Sequence, residues 1–415
     1  MENRVINLTR GVPPAEVFPI KEIQACFKSV LERDGAQILT YNFVPGYAPL
    51  RQTIAERMRV PVEQIFTGNG SLEIVNFLSA IFLHPGDCVF TETPTYDRAN
   101  TLFKRTGAKI NGIPMETDGV DLNAFEVALK GDRPKLFYTI TDFHNPLGTV
   151  TSIEKRQQVA RWAEEYDFLV IEDSPYRPLR YHGQDLPTLY SFAPERVVHL
   201  CSVSKLLAPG LRVGWAMGSP QIIGRLVKWG IDSTLASPSP TQAIVAEYMR
   251  QGLFDINIER LKKVYAPRLD ALAVAIDHYM PEVRYPKPEG GFFIGLTLPP
   301  GNQMDELMEN AARVGLKLTD GRAFFIDPAD GERFLRIPFC TLSIDEIETA
   351  LRGNKGWTQD GSQSRSHAGG KDTQVKLSLA GCRQGGVRGA QVNRQRCLFW
   401  IVDKGQEAHQ PAQGL

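Results

Sequence analysis

Val197-Val198-His199-Leu200-Cys201-Ser202-Val203-Ser204-Lys205-Leu206-Leu207-Ala208-Pro209-Gly210-Leu211-Arg212-Val213-Gly214-Trp215-Ala216-Met217 holds two short apolar runs separated by a polar turn. Residues 197–201 and 213–217 are rich in β-branched or aromatic side chains and of strand length, and Pro209-Gly210 breaks the chain between them. The turn carries two hydroxyls, Ser202 and Ser204, then Lys205, then Arg212 seven residues on. A lysine amine forms an imine with an aldehyde carbon, while hydroxyls and a guanidinium offer donors and positive charge to a phosphate. A phosphorylated aldehyde is the ligand these residues suit, and pyridoxal phosphate meets that description. The same run also suits an ordinary surface turn, so the rest of the chain must decide.

Outward from this stretch, residues 87–91, 135–140 and 168–172 are further short apolar runs that read as buried strands. Between them, residues 153–166 have the spacing of a helix, with Thr151 and Glu154 as an expected capping box. Strands alternating with helices over residues 64–217 predict an α/β fold whose mostly parallel sheet is covered on both faces. A smaller α+β unit is expected from residue 285: strands at 291–298 and 333–339, a helix at 305–314, and a last helix opened by Ser343 with Glu346 as capping partner. The expected organisation is an N-terminal arm at 1–40 with a helix near 23–31, a large domain at 41–284, a small domain at 285–352 and a tail at 353–415. The arm is expected to pack on the small domain.

The tail has lost apolar periodicity, and its nine Lys or Arg against four acids give plus five. Disorder is the expectation there, although a shifted reading frame near the end of the gene would also produce such a tail.

Lys+Arg and Asp+Glu number 47 each over 415 residues, so no broad basic field is available for nucleic acid or an anionic membrane. A small-molecule partner is expected. No apolar run approaches the roughly 20 residues of a membrane span, and the start lacks a signal-peptide core, so a cytoplasmic protein is the default. Cysteines at 26, 88, 201, 340, 382 and 397 are scattered without a Cys-x-x-Cys pair, and neither they nor the histidines indicate a metal.

A pyridoxal ring needs neighbours at the carboxyl ends of parallel strands, where open α/β sheets form their crevice. Asp173 follows the 168–172 run, and a carboxylate against the pyridine nitrogen keeps it protonated. Tyr176 and Asn145 are candidates for the ring's 3-hydroxyl, and Tyr96 for stacking on its face. Gly70-Ser71-Leu72 opens a helical stretch at 72–83 whose free N–H groups suit a phosphate. Tyr41, Gly46 and Arg51 lie in a segment that offers a further phosphate donor. Arg336, inside an apolar strand, calls for a carboxylate partner. Each of these also has a plain structural reading as a cap, turn, core tyrosine or internal ion pair.

In this order, the segments Tyr41–Gly46, Gly70-Ser71, Glu92–Arg98, His144–Gly148, Glu172–Tyr176, Ser202–Trp215 and Leu335-Arg336-Ile337 resemble the class I/II pyridoxal-phosphate-dependent aminotransferases of fold type I. The likeness spans residues 7–352, and Arg10–Pro13 with Pro94–Arg98 look most like the branch of 2-aminoadipate and kynurenine aminotransferases. The resemblance implies that Lys205 is the Schiff-base lysine and acid–base group and Asp173 the pyridine partner. It also implies that Tyr176 and Asn145 donate to the ring oxygen, Tyr96 stacks, Arg336 clamps the α-carboxylate, and Gly11 and Asn145 meet the substrate. It further implies a homodimer in which Tyr41 reaches the neighbouring subunit's phosphate, and amino transfer from an L-amino acid to a 2-oxo acid such as 2-oxoglutarate. Where the family often has glutamine, this chain has Leu72, leaving only backbone donors. Lyase, decarboxylase or cyclase chemistry uses the same lysine and stays open on the residues alone. A non-catalytic regulator would need a DNA-binding module, and about forty residues precede Tyr41.

Overall fold

The computed structural model describes residues 5–41 and 45–352. The 353–415 tail, with Cys382 and Cys397, lies outside the described residues. In chain order the first elements are β1 (Ile6–Asn7), α1 (Ile20–Ile38), α2 (Ala48–Met58), β2 (Ile65–Gly68), α3 (Ser71–Phe82), β3 (Cys88–Thr93), α4 (Asp97–Arg105), β4 (Lys109–Glu116) and β5 (Gly119–Val120). There follow α5 (Leu122–Gly131), β6 (Pro134–Thr139), α6 (Ile153–Glu165), β7 (Leu169–Asp173), β8 (Val197–Ser202), β9 (Gly214–Met217), α7 (Pro220–Thr234) and α8 (Ser239–Arg250). The last are α9 (Leu253–Tyr279), β10 (Phe293–Thr297), α10 (Met304–Arg313), β11 (Leu316–Lys317), β12 (Phe334–Pro338) and α11 (Ile344–Arg352).

Eight strands form one sheet in the order β2-β9-β8-β7-β6-β3-β4-β5. The run β8-β7-β6-β3-β4 is parallel, as the alternation predicts, while β9 runs antiparallel to both β8 and β2. Side chains alternate between two buried faces. Leu136 and Tyr138 of β6, Ile171 of β7 and Leu200 of β8 join the layer with Leu78 of α3 and Phe103 of α4. Phe137, Val170 and Val197 point the other way, into a layer with Phe125 of α5 and Trp162 of α6. Each large apolar side chain so buried contributes on the order of 1.5–3 kcal/mol.

Two expected caps come out differently. At α6 the N-cap is Ser152, not Thr151, and no side-chain capping bond forms. Thr151 is held one residue too early, because its N–H donates to Thr141 O and its carbonyl accepts from Arg156 Nε. At α11 the Ser343–Glu346 box forms in full, with Ser343 N–H to Glu346 Oε2 at 2.9 Å and Glu346 N–H to Ser343 Oγ at 3.1 Å.

Outside the main sheet, β10 and β12 pair antiparallel, and β1 pairs parallel with β11, which ties the N-terminal segment to the 285–352 stretch. The first helix runs over twice the expected length and also packs on α8, where Arg33 bonds Glu247 at 2.9 Å. No helix of the described residues is long and apolar enough to cross a membrane.

Candidate active site

Parallel strands all leave the sheet at the same edge, so the residues just past their carboxyl ends must meet there. Tyr96 follows β3, Asn145 follows β6, Asp173 ends β7 and Ser202 ends β8. The reversed strand β9 brings Gly214 level with Ser202 on one side and with Gly68 of β2 on the other, which sets Arg212 beside the start of α3. Together they line a cavity of about 790 Å³ with Gly11, Ser71, Leu72, Tyr176, Ser204, Lys205 and Arg336.

Lys205 lines this cavity, and its Nζ donates to the carbonyl of Gly11, another lining residue, at 2.8 Å. Burial lowers its pKa from the usual lysine value, and the nearby Arg336 and Arg212 act in the same direction. A larger share of free amine, the nucleophilic form, follows. Asp173 is buried, and Tyr138 of β6 donates to its Oδ2 at 2.8 Å. Its Oδ1 is buried without a partner among the described residues. Burial pushes its pKa up to about 6, against the opposing Tyr138 bond and the charges of His199 and Lys205. Beneath it, Glu172 accepts from Thr141 Oγ1, from the Leu189 and Tyr190 N–H groups and from His199, which pins the end of β7.

At one end of the cavity Ser202 Oγ bonds Ser204 Oγ at 3.0 Å, and Arg212 spans Ser204 Oγ at 3.5 Å and Asn69 O at 3.1 Å. The first turn of α3 opens beside them, and its leading N–H groups have no acceptor within the helix. Two hydroxyls, a guanidinium and a helix N-terminus make a cradle for a dianion. At the other end Arg336 of β12 is packed between Phe293 and Phe324, 4.4 and 4.6 Å from their ring centres. Its Nη1 donates to Asn145 Oδ1 at 2.9 Å and its Nη2 to Thr9 O at 2.8 Å, whereas Nε is buried with no partner among the described residues. Among the described residues no carboxylate meets this guanidinium, so the internal ion pair considered from sequence is not formed there. Tyr176 packs edge-on to Phe293 and borders the cavity, and burial raises the hydroxyl pKa of both Tyr176 and Tyr96, the latter to about 12.

Four sequence candidates lie elsewhere, Gly46 among them, packed against Thr67 and Gln242. Arg51 spends its guanidinium on Ile65 O and Val62 O at 2.9 and 2.7 Å, bracing α2 against β2. Gly70 sits behind Arg212 rather than on the cavity wall, and Tyr41 is 70 % exposed and does not line the cavity.

The family model for class I and II aminotransferases matches residues 3–353. The chain belongs to that family. Among curated relatives, the aromatic-amino-acid aminotransferase 1 of Thermococcus litoralis is 34% identical over 84% of this chain and 86% of its own length. The 2-aminoadipate transaminase of Thermus thermophilus is 33% identical over 84% of this chain and 88% of its own. The solved kynurenine aminotransferase of Pyrococcus horikoshii, a complex with PMP, superposes with a TM-score of 0.81 at 32% identity, over 84% of this chain and 89% of that one. The protein is thus a pyridoxal-phosphate-dependent aminotransferase of fold type I. The aminotransferase cavity fits its cofactor on its own evidence: the orphaned Asp173 Oδ1 suits a pyridinium N–H, and the Ser202, Ser204, Arg212 and α3 cradle suits a phosphate.

Tyr138, Thr9, Phe293 and Phe324 were not foreseen. Tyr138 lies mid-strand among apolar neighbours, where a tyrosine reads as core, and Thr9 acts only through its carbonyl. Phe293 opens the short apolar strand β10, where an aromatic side chain reads as core.

Proposed function

We propose that Lys205 is the catalytic amine, with an L-amino acid as donor and 2-oxoglutarate as acceptor. What supports this reading is one observation: Asp173 and Arg336, which line the same cavity as Lys205, each keep one buried polar atom, Oδ1 and Nε, without a partner among the described residues. When bound, the cofactor supplies an electron sink for charge left on the donor's α-carbon. In this reading Asp173 holds the cofactor's ring nitrogen, Asn145 and Tyr176 its ring oxygen, and Tyr96 lies on its face. Ser202, Ser204, Arg212 and the N–H groups of Ser71 and Leu72 hold its phosphate. Arg336 clamps the α-carboxylate near Gly11 and Asn145. Lys205 Nζ, its proton affinity lowered by burial, takes the α-proton and gives it back.

A homodimer belongs to the proposal, with Tyr41 reaching the partner's phosphate. Its 70 % exposure, beside Leu39 at 70 %, accords with a face awaiting a second copy. The division into arm, large domain and small domain is supported by the separation of the eight-stranded sheet from the two smaller pairs. Free thiols at Cys26, Cys88, Cys201 and Cys340 accord with a reducing, cytoplasmic compartment.

The test is a panel of amino donors with 2-oxoglutarate, with keto acid and glutamate both quantified, on wild type and Lys205→Ala. Equal yields of the two products, lost together with the cofactor's imine absorbance in Lys205→Ala, are expected. Keto acid without glutamate would assign a lyase or oxidase instead, and a variant that cycles at the normal rate would remove Lys205 from the mechanism.

A further inference from the structure

The cavity holds more positive charge than a cofactor and one α-carboxylate use. Arg10, Arg98, Lys205, Arg212, Lys317 and Arg336 line it against only two carboxylates, Asp97 and Asp173. Lys205, Arg212 and Arg336 have roles in the reading above, and Arg98 has Asp97 at 3.5 Å. That leaves Arg10 and Lys317, which have no ion-pair or side-chain hydrogen-bond partner among the described residues.

Their placement follows from one strand pair. Asn7 of β1 stands opposite Lys317 of β11, and alternation sends Asn7 and Thr9 to the same side as Lys317, where all three border the cavity. Arg10 is the next residue, between the two carbonyls that hold the site's central cations: Thr9 O accepts from Arg336 and Gly11 O from Lys205. A ligand with its α-carboxylate on Arg336 therefore extends its side chain along a wall that carries two uncompensated cations.

We propose that Arg10 and Lys317 form a subsite for a second carboxylate, so that the protein favours dicarboxylic amino acids and dicarboxylic 2-oxo acids over neutral ones. This rests on the aminotransferase reading with Lys205 as the amine. Thr319 borders the same wall and is already engaged, its hydroxyl donating to Thr9 O at 2.8 Å, which fixes the backbone that carries Arg10. Both cations are exposed, so the attraction is screened by salt.

The test is the half-reaction of cofactor-loaded enzyme with L-glutamate and, separately, with L-leucine, followed by absorbance as a single turnover. The readout is the ratio of kcat/KM for glutamate over leucine in wild type, Arg10→Gln, Lys317→Gln, the double variant and Arg10→Lys. Each glutamine variant is expected to lower the ratio about tenfold and the double variant more, as for loss of a charge-assisted contact, with Arg10→Lys keeping it within about threefold. Raising salt from about 0.02 to 0.5 M is expected to lower the wild-type ratio and leave that of the double variant flat. An unchanged ratio in all the glutamine variants overturns the subsite while leaving the aminotransferase reading intact. Wild type that turns over neither amino acid overturns both.

Discussion

The Tyr138 hydroxyl donates a 2.8 Å hydrogen bond to Asp173 Oδ2, while Oδ1 of the same carboxylate has no partner among the described residues. One oxygen is thus fixed by the sheet and the other is left to be satisfied, on a residue that lines the cavity. The bond favours the charged carboxylate, opposing the burial that pushes Asp173 up to about 6. Replacing Tyr138 by Phe removes that support and lets the carboxylate retain a proton at higher pH. A hydrogen bond to a charged group is worth roughly 1.5–3 kcal/mol, so cofactor affinity should fall about ten- to a hundredfold at neutral pH. The loss should deepen as pH falls. Titrating apoenzyme with pyridoxal phosphate at several pH values checks this, and a pH-independent loss would mean that Tyr138 acts by packing alone.

Asp173 itself should cost the apoprotein stability. Its folded pKa, about 6, lies above the ordinary aspartate value of 3.8, so between those values the native state holds a proton that the unfolded chain has released. Stability therefore rises as pH falls through that window, and the penalty is present in full above about 6. Asp173→Asn, which carries no charge, should raise the melting temperature of apoenzyme at neutral pH and flatten this part of its pH profile, while cofactor binding collapses. A variant less stable than wild type at neutral pH would show that Asp173 is a net structural asset.

Much of this architecture was legible because strands buried on both faces are short and apolar, and each ends in a polar residue that the sheet edge exposes. Asp173, Asn145, Tyr96 and Ser202 come together for that reason. β4 is hard to read as a strand because Gly112 and Pro114 interrupt it, and its pattern is that of a partly exposed strand near the sheet's end. The long α9 carries Pro267 in its interior, which reads as a break where the fold keeps a helix. Arg51 reads as a phosphate donor in its segment, but its guanidinium is spent on the Ile65 and Val62 carbonyls. Residue types reveal which chemistry is available. Which partner each group spends it on depends on contacts distant in sequence, such as Arg336 with Asn145 and Thr9.

Arg336 combines a flat guanidinium between two rings with one buried N–H still to be satisfied. Lysine has neither the planar fork nor the stacking face. Arg336→Lys should raise KM about a hundredfold for donors and acceptors alike, while pyridoxal phosphate affinity stays within about threefold. Steady-state kinetics with cofactor titration separates the two, and an equal loss of both would place Arg336 in the cofactor's own support.

Gly214 starts β9 directly against the first turn of α3. A Cβ there would collide with the Ser71 N–H and come within 2.7 and 2.9 Å of the Gly70 carbonyl carbon and Cα. These are backbone atoms and cannot rotate away, unlike the end of the Arg212 side chain that a Cβ on Gly70 would meet at 2.5 Å. Gly214→Ala should therefore push the α3 N-terminus off the cluster of Ser202, Ser204 and Arg212, at an overpacking cost of about 1–3 kcal/mol. If that cluster holds the phosphate, pyridoxal phosphate should lose affinity at least about tenfold, whereas pyridoxal, which lacks the phosphate, should lose far less. Parallel titrations with the two compounds decide the matter. Equal losses would mean that the start of α3 supports the cavity as a whole and does not bind the phosphate.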